Sequence, residues 1–141
     1  MPGRQRLAVY LVVGALWLSG CLWLCLDEFF AKRGEFGVIP HPLAPVMLLI
    51  HGVTAIISMY LFGWITARHI IRWWPMRSRR ISGGTLGTFF ILLAVSGFAL
   101  FFISNDGWQH LTVQTHDILG LSVTVFAAQH WFFVRRRDTV R

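Results

Sequence analysis

A chain of 141 residues is long enough for one domain, and 55% of it is apolar against 13% charged. That imbalance excludes an ordinary soluble globular protein and makes lipid the expected solvent. The net charge of +7 does not mark a nucleic-acid surface, because the basic residues gather at the ends of long apolar runs, where they act as topology signals. No nucleic-acid partner is expected.

Four apolar stretches are long enough to cross a hydrocarbon core as helices, which needs about 20 residues each. The first covers residues 7–26. It holds Cys21 and Cys25, whose spacing puts them on one helical face as packing residues and not in a CxxC motif. Leu18-Ser19-Gly20-Cys21 resembles a lipoprotein cleavage box behind a basic leader, but the apolar run continues to Leu26, so the stretch reads as a span. An acidic loop with Asp27, Glu28 and Glu35 follows. The second span covers residues 42–74, its purely apolar part ending at Ala67, and Pro75 among arginines breaks it. The third covers 81–104 and the fourth 108–134, with Asn105-Asp106-Gly107 between them. Most of the tryptophans fall near the ends of these runs, as an interfacial belt would place them. No internal repeat stands out along the chain. The expected fold is all-α: a single domain over residues 1–141, an integral membrane four-helix bundle.

Orientation follows from the charges. Arg4 and Arg6, then Arg68, Arg72, Arg77, Arg79 and Arg80, then Arg135, Arg136, Arg137 and Arg141 all fall on one side once the spans alternate. The opposite loops hold Lys32 and Arg33 together with four acids. The positive-inside rule therefore puts both termini in the cytoplasm, N-in and C-in.

Histidines occur in the second and fourth spans and in neither of the others, a pattern with meaning because ionisable groups inside a membrane are costly. His51 and His69 are 18 residues apart, five ideal turns, and His116 and His130 are 14 apart, close to four. Each helix thus offers two imidazoles on one stripe. Counting inward from the ends, His51 and His116 come to the outer third, and His69 and His130 to the inner end. Two level pairs of neutral imidazoles suit two bis-histidine haems, His51 with His116 and His69 with His130 as axial ligands of the iron. Zinc, which wants four converging ligands, fits poorly. Along the axis the two separations differ, about 27 Å against about 21 Å, so a single haem is the alternative. Small residues near these histidines, among them Gly52, Ala55, Ser58, Gly63, Ser96, Gly97 and Gly120, give room for a porphyrin or, equally, for close helix packing. His41 and His110 lack the matched depth and read as interfacial residues. Asp117, one residue past His116, reads as a polar partner within the bundle or as a proton or quinone-site group near the outer face.

On His51-Gly52 opening one helix, Arg68-His69 closing it, Arg79-Arg80-Ile81-Ser82-Gly83 before the third, and His116 with Gly120 and His130 on the fourth, residues 41–137 resemble the small bacterial membrane-bound cytochromes b. These serve as haem subunits of formate dehydrogenases, hydrogenases and related respiratory enzymes. The resemblance implies b-type haem, a multi-pass position in the bacterial inner membrane, electron transfer across the bilayer and exchange with quinone. It departs from the formate-dehydrogenase type in its first helix, which has no histidine. With no substrate-oxidising domain in evidence, the expectation is an electron-transfer subunit working with a larger membrane redox complex and a periplasmic electron-transfer protein. The competing reading is a haem-free structural subunit whose histidines hydrogen-bond between helices.

Overall fold

A computed structural model describes residues 3–35, 37–71 and 77–138. Among the described residues the elements run α1 (Gly3–Phe30), β1 (Lys32–Gly34), β2 (Gly37–Ile39), α2 (Ala44–Ile65), α3 (Arg77–Ala99) and α4 (Asp106–Asp138). α2 continues directly into a π-helical turn over Thr66–Ile70. The chain is predominantly helical, as its apolar composition requires. It falls into two compact units, residues 1–64 and 65–141, each described by itself below.

In the first unit, α1 runs 28 residues, extending the expected span at both ends. The acidic loop after it is not irregular. Lys32 pairs with Ile39, Arg33 with Val38 and Gly34 with Gly37 in a short antiparallel hairpin, which Gly37 helps to turn with a φ of +125°, a conformation that side-chain-bearing residues avoid. α2 starts where His41 accepts from the Leu43 amide through Nδ1 at 3.2 Å and from the Ala44 amide through its carbonyl at 2.9 Å. The His41 ring also stands edge-on to Phe30, 6.1 Å between centroids. This histidine does the work of a helix cap.

In the second unit, α3 and α4 form an antiparallel helical hairpin. α3 ends at Ala99, short of the expected 104, because the chain tightens there: Phe101 and Phe102 donate to Phe98 and Ala99 three residues back. Asn105 then caps α4, its side-chain oxygen accepting from the Trp108 amide at 3.2 Å, with Asp106 in the first turn favourably placed against the helix dipole. The two helices meet in even steps. A methyl on Gly97 would approach His116, one on Gly120 would touch Leu93, Phe89 packs on Phe126 with centroids 4.2 Å apart, and Gly83 lies opposite His130.

The burial pattern is inverted relative to a soluble protein. Among the described residues Ala44 is the only buried hydrophobic, joined by Ser19 and Ser58, while Leu49, Ile56, Val95 and Ile118 are each more than half exposed. Small residues inside and large apolar ones outside is the distribution that lipid-facing helices adopt. α1 and the stretch Ala44–Arg68 are long and apolar enough to cross a membrane. The apolar part of α3, Gly83–Ala99, is shorter, and α4 dilutes its apolar face with Gln109, His110, Gln114, His116, Asp117, Gln129 and His130.

Candidate functional site

His51 stands on α2 with its ring laid against α1. A methyl group on Gly20 would come within 2.9 Å of Cε1 and 3.0 Å of Nδ1, so the ring occupies the space that the missing side chain leaves. Its Nδ1 lies 2.9 Å from the carbonyl oxygen of Leu16, one turn below Gly20 on the same helix. A carbonyl only accepts, so Nδ1 carries the proton and Nε2 the lone pair. The same carbonyl takes the Ser19 hydroxyl at 3.0 Å.

His116, on α4, repeats this arrangement against α3. A methyl on Gly97 would stand 3.1 Å from its Cε1, and its Nδ1 lies 2.9 Å from Ser96 Oγ. Ser96 Oγ also lies 3.2 Å from the Leu93 carbonyl; with its single proton turned there the hydroxyl accepts from His116 Nδ1, the tautomer seen at His51, and with the proton turned to the ring it donates. Farther along, His130 Cε1 lies 3.8 Å from where a Gly83 methyl would be. The 14-residue spacing of the two histidines on α4 is thus matched by the 14-residue spacing of Gly83 and Gly97 on α3.

These contacts expose a short repeat. Leu16-Trp17-Leu18-Ser19-Gly20 on α1 and Leu93-Ala94-Val95-Ser96-Gly97 on α3 share the pattern Leu-x-x-Ser-Gly. In each unit the glycine seats the ring and an oxygen from the segment binds Nδ1. The repeat was legible in the sequence but overlooked, because the serine and glycine of the first copy were absorbed into the resemblance to a cleavage box.

The side chain of His69 lies outside the described residues, but its backbone falls in the π turn. One π turn takes up one residue more than an α-helix would, so residues beyond it are set back by about 100° and drawn in by about 1.5 Å. The five ideal turns between His51 and His69 are therefore not what the chain adopts. His69 lies within that turn and not beyond it. The π turn has no signal in hydrophobic periodicity, though such turns often mark functional positions.

Asp117 is half-buried beside His116 in the chain, and His110 is exposed. Ser58, two turns after His51, is 2% exposed, and its hydroxyl has no hydrogen-bond partner among the described residues. Most other described helical serines and threonines, such as Thr54, Thr85 and Ser122, return their hydroxyl to a carbonyl of the preceding turn. Cys21 and Cys25 are free thiols. Among the described residues no three histidine, cysteine or acidic side chains converge as a metal cluster would need. Comparison with family models, with characterised proteins and with solved structures finds no match to this chain.

Proposed function

We propose that the chain is a b-type haem-binding subunit of the bacterial inner membrane, a four-span helical bundle with both termini in the cytoplasm, which passes electrons across the bilayer. One observation carries this reading: His51 and His116 are built alike, each seated on a glycine and each with Nδ1 hydrogen-bonded to an oxygen of the neighbouring helix. An axial haem ligand is a neutral imidazole that offers one nitrogen to iron while the other is held by an acceptor. The carbonyl acceptor puts His51 in that tautomer, and the Ser96 hydroxyl can hold His116 in it. The buried, unpartnered hydroxyl of Ser58 on the His51 helix is a group that a bound cofactor or an ordered water would satisfy.

Under this reading His51 and His116 are the axial ligands of an outer haem, and His69 and His130 those of an inner one. Haem supplies reversible one-electron iron chemistry when bound. The chain supplies ligation, ring orientation and an apolar surround, which together set the potential. Asp117 is the candidate proton-transfer or quinone-site group. The partners are the lipid bilayer, a larger membrane redox complex, a periplasmic electron-transfer protein and quinone, with no enzymatic step assigned to this chain alone.

The second reading, a haem-free structural subunit, is favoured by the same bonds taken at face value, since an imidazole that fills a glycine seat and bonds across two helices is also an effective packing group. An absorbance spectrum of the purified, reduced protein from haem-replete cells separates the two. Bis-histidine b-type bands with close to two haems per chain are expected. A ratio near one restricts ligation to one pair, and a spectrum without haem bands refutes the electron-transfer reading.

A further inference from the structure

The two Leu-x-x-Ser-Gly segments seat their histidines in the same way but bind them through different atoms. On α3 the serine itself bonds His116 Nδ1 at 2.9 Å. On α1 the serine does not bind the ring; it donates to the Leu16 carbonyl at 3.0 Å, the acceptor that His51 uses at 2.9 Å. That carbonyl is also the normal helical partner of the Gly20 amide one turn on.

We propose that Ser96 is a positioning residue for His116, holding the imidazole with Nδ1 protonated and Nε2 presented as the ligand, while Ser19 acts in the opposite sense on His51 by competing for its acceptor. The haem part of this inference rests on the function proposed above; the tautomer part does not. An acceptor on Nδ1–H makes Nε2 the stronger donor to a metal and favours the oxidised iron. Removing the Ser96 hydroxyl withdraws that acceptor. Removing the Ser19 hydroxyl leaves the Leu16 carbonyl with one donor fewer, so the His51 bond tightens. Two serines in equivalent positions of one motif thus have effects of opposite sign, a result that a general packing role for either would not give.

The test uses the full chain in detergent micelles, labelled with nitrogen-15 at histidine, as wild type and as Ser96→Ala, Ser96→Thr and Ser19→Ala. Ring nitrogen shifts distinguish a protonated nitrogen from a bare one. The wild type is expected to show Nδ1–H at His51 and His116. Ser96→Ala is expected to move the His116 signals alone toward a mixture of tautomers, with Ser96→Thr restoring them. Ser19→Ala is expected to move the His51 Nδ1 signal toward a stronger hydrogen bond. In haem-loaded protein the midpoint potential of the outer haem should rise in Ser96→Ala, on the order of a tenfold change in ferric-over-ferrous preference or about 59 mV for one electron, and should fall in Ser19→Ala. Unchanged His116 signals in Ser96→Ala, or shifts of the same sign in the two alanine variants, overturn the proposal. A chain that takes up no haem yet shows the His116 change sinks the electron-transfer reading and upholds the positioning role.

Discussion

Replacing Gly20 by alanine is the sharpest probe of how α1 holds His51. The new methyl would lie 2.9 Å from His51 Cε1 and 3.0 Å from Nδ1, whereas carbon atoms in good contact stand about 3.5–4.0 Å apart. The ring must withdraw by roughly 0.6 Å or more to reach that contact. It cannot do so freely, because its Nδ1 is bonded at 2.9 Å to Leu16, which belongs to the same helix as Gly20. The same movement stretches that bond to about 3.5 Å, the edge of what counts as a hydrogen bond. Overpacking costs about 1–3 kcal/mol, and weakening the bond about 0.5–1.5 kcal/mol more. The better helix propensity of alanine returns about 1 kcal/mol. The net expectation is a loss of about 0.5–3.5 kcal/mol. Gly52→Ala is the control, since nothing lies within 4 Å of its added methyl, and it should be neutral or more stable by up to about 1 kcal/mol. Equilibrium unfolding in mixed micelles, with denaturing detergent titrated against a mild one, measures both. Equal stability of the Gly20→Ala and Gly52→Ala proteins would refute the seating of His51 on α1.

Three further outcomes are expected. Asn105→Ala removes the side-chain acceptor of the Trp108 amide and should cost about 0.5–2 kcal/mol in the same titration; an unchanged midpoint would show that Asn105 does not cap α4. His116→Ala should abolish the spectrum of one haem while the other stays visible, because separate ligand pairs load separately, and retention of both haems would remove His116 from the ligand set. A reporter fused after Arg141 should be active in the cytoplasm, since 11 of the 13 basic residues fall on that side of a four-span topology; activity in the periplasm would end that topology.

Helix content and helix order were legible because long apolar runs bounded by Asp27-Glu28, Pro75 and Asn105-Asp106-Gly107 leave few other folds for a chain of this composition. Helix ends were less so. α3 stops at Ala99 through a local tightening that apolarity at Leu100, Phe101 and Phe102 conceals. The hairpin at Lys32–Ile39 was hidden by its brevity, three residues to a strand, although the flanking Gly34 and Gly37 and the Val38-Ile39 pair were its signal. Of the site, the face shared by His116 and His130 was readable from spacing alone, because α4 is regular throughout and both rings meet glycines of α3. The matching inference for His51 and His69 runs into a π turn at Thr66–Ile70 that spacing could not reveal, since periodicity assumes one residue count per turn, and the side chain of His69 lies outside the described residues. Which atoms bind the rings could not be read from composition, because it depends on whether a serine turns its proton to its own helix or offers its lone pair outward.

The distribution of histidines now has a physical account. Their absence from α1 and α3 is a division of labour: these helices supply the seats, Gly20 and Gly97, and the oxygens that bind Nδ1, the Leu16 carbonyl and Ser96 Oγ, while α2 and α4 supply the rings. A seat needs a residue without a side chain, and an acceptor one turn before it or directly beside it, which is the content of Leu-x-x-Ser-Gly on a helix of 3.6 residues per turn. Each unit holds one copy followed by one ring-bearing helix, so the pair α1–α2 and the pair α3–α4 repeat a common device despite connections of unequal length, 31 residues from Gly20 to His51 and 19 from Gly97 to His116.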